Sequence, residues 1–445
     1  MLSVLANHTY RQLFLAQVVA LVGTGLATVA LGLLAYDIAG GNAGAVLGTA
    51  LAIKMIAYIG VAPVVGAFAD RLPRRAFLVS MDLIRMAVAL CLPFVSQVWQ
   101  VYVLIFVLQS ASAAFTPTFQ ATIPDVLPEE QDYTRALSLS RLAYDMESLT
   151  SPILAAALLT VINFHWLFSG TAVGFLGSAL LVMSTVLPRA PSGAPRAGGI
   201  YARTTRGTRI YLKTPRLRGL LALTLASAAA SSMVIVNTVV IVRGNLGLGQ
   251  SQVAITLAAF GSGSIIAALA LPRILDRISD RTMMIGAAAA LTLGLGLLAE
   301  LTALFGPGAN YWHIILAGWF GLGLAYSMSV TPAGRLLKRS ANAEDRPALF
   351  AAQFALSHGC WLIAYPLVGL LGAQAGQTIA FAAMAGIALV GTLAAIVLWP
   401  KGDPDVLTHS HDGLDPDHPH LAQAHGGAGS HAFVIDDLHQ TWPKQ

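Results

Sequence analysis

Twelve apolar runs of about twenty residues recur between residues 12 and 400, and no other feature restricts the fold of this chain so severely. They cover roughly 12–37, 44–69, 76–95, 99–123, 136–160, 164–187, 219–242, 252–274, 282–305, 312–335, 349–372 and 377–399. Each is long enough to cross the ~30 Å hydrocarbon core of a bilayer. Lipid offers no partner to an open backbone amide, so every run is expected as a helix. Composition agrees: 56% of residues are hydrophobic and 11% charged, which excludes an ordinary soluble domain. The opening "MLSVLANHTY" lacks a basic n-region and a small-residue cleavage site, so the first span is expected to stay in the membrane. Cys91 and Cys360 both fall within spans, and no disulfide is expected.

Orientation follows from the basic residues. With the ends of the even-numbered spans on one side, the loops and adjoining span ends there hold nineteen Lys and Arg, against Arg243 alone on the other. The positive-inside rule then places both termini on the cytoplasmic side of the cell (inner) membrane. The same asymmetry accounts for a pI near 9.3 without a nucleic-acid partner. Lipid is the evident partner, and no obligate protein partner is indicated.

A stretch with eight basic and no acidic residues, "PRAPSGAPRAGGIYARTTRGTRIYLKTPRLRG" (188–219), separates two sets of six spans. It reads either as a topology-setting linker or as a segment lying along the anionic inner leaflet. The chain thus divides into a first six-helix bundle (1–187), a basic linker (188–218), a second bundle (219–400) and a tail (401–445). The two bundles look like copies. "GAFADRLPRR" (66–75) follows the second span and "PRILDRISDR" (272–281) the eighth; "FTPTFQ" (115–120) in span four is echoed by "VTPAGR" (330–335) in span ten. Two parallel six-helix repeats are a transporter architecture.

Residues 66–75 resemble motif A of the major facilitator superfamily, with Gly66, Asp70, Arg71, Arg74 and Arg75 in place and Pro73 where the family has glycine. The resemblance extends over residues 10–400. It implies an all-α polytopic fold of twelve transmembrane helices in two repeats, a transporter rather than an enzyme. It also implies a gating loop at motif A, with Asp276 and Arg277 as its second-half copy. Charges there can latch helix ends across the bundles and release when the transporter inverts.

Ionisable residues at the middle of a bilayer cost several kcal/mol and are functional candidates by default. Lys54 in span two, Asp145 and Glu147 in span five, and His358 and Cys360 in span eleven all fall near the midplane at 1.5 Å per residue. In the facilitator fold those spans line the contact between halves, where substrate sits. Two carboxylates, an imidazole and a thiol would form a mixed set for a borderline metal such as Ni²⁺, Co²⁺ or Zn²⁺. Each residue has a plainer reading. Asp145 lies four residues after Arg141 and can pair with it along the helix. Cys360 can be a small buried hydrophobe, and His358 a bundle histidine or proton carrier. Lys54 repels a metal and fits a counter-ion that holds a carboxylate until a proton or metal displaces it. Asp82 and Arg85, three apart, read as a structural pair, and Glu300 as a residue reaching the interface. The segment "SLTSPILAAA" keeps Pro152 but lacks the glycines of the drug-antiporter motif of span five, so proton coupling is an expectation from the superfamily alone.

The tail holds seven of the eleven histidines and seven aspartates. His409, His411, His418, His420, His425 and His431 are candidate metal ligands, two of the pairs spaced His-x-His. Most of the tail is expected to lack structure of its own, whereas "HAFVIDDLHQTWP" (431–443) is amphipathic enough for one short docking element. A facilitator with such a tail resembles the NreB/NrsD-type nickel-resistance exporters. That resemblance implies proton-driven efflux of Ni²⁺, with Co²⁺ as an alternative, and metal bound only transiently rather than as a tight cofactor. Export of an organic compound such as a drug or siderophore is the competing reading. An aromatic-lined cavity whose charges are satisfied internally would favour it. A sensor that binds metal without transport is a third class. The chain has no Gly-x-x-x-x-Gly-Lys-Ser/Thr loop, so energy must come from an ion gradient or a partner.

Overall fold

Each apolar run becomes a helix, and the punctuation between runs explains where each one stops. The computed structural model describes residues 2–68, 73–187, 200–306, 308, 310–342, 345–402, 406–410, 428–436 and 438–443. The first bundle comprises α1 (His8–Ala39), α2 (Ala43–Phe68), α3 (Arg74–Cys91), α4 (Val98–Val126), α5 (Glu130–Leu158) and α6 (His165–Met183). The amphipathic linker helix α7 (Ile200–Lys213) follows. The second bundle comprises α8 (Pro215–Val239), α9 (Gln250–Leu275), α10 (Asp280–Phe305), α11 (Tyr311–Val330), α12 (Ala333–Arg339), α13 (Arg346–Gln374) and α14 (Gln377–Leu398). A hairpin of β1 (Val406–Ser410) and β2 (Ala428–Ala432) ends the described order.

Local chemistry sets the ends. Asn7 caps α1 by accepting from the Tyr10 amide at 3.0 Å. Gly40 (φ 53) ends the same helix in the left-handed region that glycine tolerates. Three elements depart from the sequence expectation. The tenth run divides into α11 and α12 because Pro332 cannot continue the helix and caps the next one instead. The seventh run leaves α-helical geometry at Val240–Asn245, a π-helical turn that carries Arg243. The fifth helix begins at Glu130, six residues before its apolar run. Its inner half carries Glu130, Asp132, Arg135 and Arg141, and with Asp145 and Glu147 it is the most heavily charged of the long helices.

Within the first bundle α1 packs on α6 and α2 on α4; within the second α8 and α10 pack on α14 and α9 on α11. The halves meet where α2 crosses α13 and where α5 crosses α9. Small residues permit the α2–α13 crossing. A Cβ on Gly44 would come 3.3 Å from the Gly369 carbonyl, and one on Gly48 only 2.3 Å from that of Tyr365. Large apolar side chains such as Leu269, Leu293 and Val397 are 70%, 72% and 81% exposed and form the surface that meets lipid.

Inner and outer here denote the face that carries α7 and the face opposite. The described hydrogen bonds between the halves cluster at the outer face. Arg243 Nη1 meets Asp37 Oδ1 at 2.7 Å with its guanidinium over the Tyr36 ring. Gln250 Oε1 accepts from the Phe164 amide at 3.3 Å, and Ser251 Oγ donates to the Leu159 carbonyl at 3.0 Å. The molecule is thus in the form closed at its outer side.

The tail carries more structure than its composition suggests. β1 and β2 pair antiparallel, with His409 opposite Gly429 and His431 opposite Leu407. The following segment docks as expected, burying Phe433 and Ile435 in the main core.

Candidate functional site

Three helices from both halves bring charge and aromatic rings together near mid-depth. Lys54 lies eleven residues into α2, about 17 Å along the axis from its outer end. Glu147 lies on α5 and His358 on α13, at comparable depth. Lys54 and Glu147 attract one another, and Lys54 also lies within electrostatic range of His358. Lys54 Nζ sits 5.9 Å from the Tyr58 ring centre. Tyr58 stacks on His358 at 5.4 Å and 6°, and Phe354 closes the group at 4.0 Å from His358 and 5.8 Å from Tyr58. Although the cluster lies between two packed halves, Lys54, Tyr58, Glu147 and His358 are only half-buried and Phe354 is exposed. Water-sized space therefore reaches it.

The neighbours fix its shape. A Cβ on Gly25 of α1 would fall 1.9 Å from Ser151 Oγ and 2.9 Å from Glu147 Oε1, so glycine lets α1 press against α5 beside the carboxylate. His358 Nδ1 lies 2.6 Å from the Phe354 carbonyl. With the proton on Nδ1, that contact is a hydrogen bond and Nε2 is left as an acceptor.

The other sequence candidates separate. Cys360 faces away: its Sγ donates to the Leu356 carbonyl at 3.7 Å and packs with Ala228 and Ala364. The mixed carboxylate–imidazole–thiol set therefore does not assemble, because residues 358 and 360 point to different sides of one helix. Arg141 and Asp145 lie on α5, but their side chains fall outside the described residues, as do those of His409 and His431 on the hairpin. His411, His418, His420 and His425 also lie outside the described residues. Among those described, no three His, Cys, Asp or Glu side chains converge. Glu300 is exposed near the outer end of α10.

The Asp82–Arg85 pair is fully built. Asp82 is 0% exposed, binds Arg85 and accepts from Ser178 Oγ at 2.7 Å. The Arg85 guanidinium lies between the Phe115 and Phe175 rings at 4.3 and 4.5 Å, which rivets α3, α4 and α6 away from the central cluster.

In motif A, Gly66 lies on α2 near its inner end, while Asp70 and Arg71 lie outside the described residues. Arg74 pairs with Asp125 at the end of α4, and Arg75 donates to the Met183 carbonyl at the end of α6. These two contacts lie within the first half. Asp276 and Arg277 are exposed beyond α9. Four residues after each, Asp280 faces Arg335 and Arg339 at 3.7 Å and Arg281 binds the Trp399 carbonyl at 2.8 Å.

Sequence reasoning missed Tyr58 and Phe354. Both were within reach, since Lys54/Tyr58 and Phe354/His358 are i, i+4 pairs that must share a helix face. What the sequence could not supply was the crossing that lays one pair on the other.

The family model for the Major Facilitator Superfamily matches residues 13–236 and again 220–416. Macrolide efflux protein A of Enterococcus faecalis is 26% identical over 155 residues, 33% of this chain and 47% of that protein. Multidrug resistance protein MdtG of Dickeya zeae is 28% identical over 174 residues, 39% and 42% of the two chains. The matched region thus spans less than half the length of these curated relatives. A crystal structure of a D-xylose-proton symporter superposes with a TM-score of 0.67 over 89% of this chain and 99% of that one, at 14% identity. Two matched repeats, twelve long helices among the described residues and a charged cluster where the halves cross lead to one assignment: this chain is a multi-pass membrane transporter belonging to the Major Facilitator Superfamily.

Proposed function

We propose that the protein is a secondary exporter that expels an organic compound from the cytoplasm, driven by the proton gradient. The observation that carries this reading is the inter-half cluster of Lys54, Glu147, Tyr58, His358 and Phe354. Stacked rings supply an apolar wall for a planar or greasy substrate. The one acid whose side chain is described there has a lysine as internal counter-ion, the arrangement that favours an organic substrate over a metal. Lys54 and Glu147 also suit proton coupling: a proton on Glu147 removes its hold on Lys54, and substrate can then exchange against that state. The partial likeness to a macrolide efflux protein and a multidrug resistance protein supports the same direction. With the basic α7 face toward the cytoplasm, the outer-closed form is the one open for loading, and both termini lie on the cytoplasmic side of an inner membrane.

One observation favours metal export as a second reading. His409 and His431 lie on paired strands of a tail rich in further histidines. Uptake into everted vesicles under an imposed proton gradient separates the two, with ethidium and radiolabelled erythromycin in one arm and radioactive Ni²⁺ in the other. Gradient-dependent uptake of an organic probe, lost in Glu147→Gln, supports the organic reading. Uptake of Ni²⁺ alone overturns it.

A further inference from the structure

The tail's last described segment is built into the molecule. Phe433 and Ile435 are 3% and 2% exposed, and Phe433 packs edge-on against Trp442 at 5.0 Å and beside His439 at 4.8 Å. Asp436 ties the turn, accepting from the amides of Leu438 and His439 at 2.9 and 2.7 Å and from Asn342 Nδ2 at 3.4 Å. Trp442 lies over the buried Arg216 guanidinium at 5.5 Å, at the first turn of α8. Lys213, the last residue of α7, donates to the Gln440 carbonyl at 2.6 Å.

The linker helix in turn grips α13. Arg206 meets Asp345 through two bonds, 2.6 Å from Nε and 3.1 Å from Nη2, and Tyr211 donates to Gln353. Burial pushes the Tyr211 hydroxyl well above the ordinary phenol range, so this donor keeps its proton throughout physiological pH. Gln353 immediately precedes Phe354, whose ring belongs to the central cluster. A continuous path therefore runs from the tail through α7 to the inner part of α13. For the molecule to close at its inner face, the inner parts of α2 and α13 must approach as their outer contacts at Gly44 and Gly48 part.

We propose that residues 433–442 act as a strap: they anchor α7 on the inner end of α13 and so hold the transporter in its outer-closed form. Trp442 and Phe433 are then positioning residues for the transport cycle, acting through α7 without touching substrate. The strap rests on the proposed alternating-access reading, and its test is independent of any substrate. The two native cysteines are replaced (Cys91→Ser, Cys360→Ala), and spin labels are placed at Glu129→Cys in the first half and Lys338→Cys in the second, both exposed at the inner face. The distance distribution is then read in detergent without ligand.

Phe433→Ala/Trp442→Ala should enlarge the short-distance population about two- to fivefold, the scale set by one lost cation–π contact and its packing. Lys213→Ala, which removes only the Gln440 contact, should shift it the same way by less, and it serves if the double variant fails to fold. Trp442→Phe should retain the wild-type distribution. Distributions unchanged in both Phe433→Ala/Trp442→Ala and Lys213→Ala overturn the strap. Failure to export any organic probe, with the shift present, counts against the functional reading alone.

Discussion

Arg75 and Arg281 hold the same post in the two halves of the molecule. Each stands in the first turn of the third helix of its bundle and donates to a carbonyl at the end of the last, Met183 for Arg75 and Trp399 for Arg281. A charged donor to a carbonyl is worth about 1.5–3 kcal/mol when sheltered. Arg281→Ala should therefore lower the melting temperature in detergent measurably. Arg75→Ala, at an exposed site, should lower it less. An Arg281→Ala protein that melts with the wild type would remove this tie from the account of the fold.

The Asp82–Arg85 rivet makes a different prediction. Asp82→Asn or Arg85→Met alone leaves one charge buried without its partner, at a cost of about 3–5 kcal/mol. The double variant removes both charges and should recover much of that loss. Thermal unfolding of the three variants tests it, and a double variant less stable than either single one would contradict the pair's isolation from the rest of the molecule.

At the central cluster, Glu147→Gln and Lys54→Ala should each reduce gradient-driven export at least about tenfold, since each removes one member of the exchange pair. Expression and melting should change little by comparison. Gly25→Ala should have a similar effect by another route, because a methyl there displaces Ser151 and the Glu147 carboxylate. Wild-type transport in Gly25→Ala would mean that α1 can yield at this point.

Cys360→Ala should leave export of either an organic probe or Ni²⁺ unchanged, because the thiol packs against Ala228 and Ala364 away from the other candidates. His358→Ala should weaken binding by removing the ring that joins Tyr58 to Phe354. Loss of Ni²⁺ transport in Cys360→Ala would return the thiol to the site.

The outer Asp37–Arg243 bridge is partly exposed, and such pairs contribute about 0–1 kcal/mol. Asp37→Ala should accordingly change the balance between outer-closed and outer-open forms by no more than about fivefold. Spin labels across the outer face read this directly. A complete opening would show that the bridge bears more weight than its exposure allows.

The twelve helices were legible because lipid leaves an apolar run no alternative to helix. The repeat was legible in Asp70-Arg71 and Asp276-Arg277; among the described residues, the contacts seen lie one turn further on, at Arg74, Arg75, Asp280 and Arg281. Their partners sit at the ends of other helices, and no local pattern announces which ends become neighbours. Cys360 stands apart from His358 for a local reason. Residues two apart on one helix diverge, which separates Cys360 from His358. The docking of 431–443 was legible from Phe433, Ile435 and Trp442, whereas its landing place on Arg216 and Lys213 required the fold.

The end-ties of the two bundles are wired with opposite polarity. In the first, Arg74 reaches an acid on the neighbouring helix; in the second, the equivalent Asp280 reaches Arg335 and Arg339. The two bundles match the same family model and present comparable helix ends at one face. A swapped helix here would set arginine against arginine or aspartate against aspartate. The inverted polarity thus makes each end-tie specific to its own bundle, since the charge that completes one would repel its counterpart in the other.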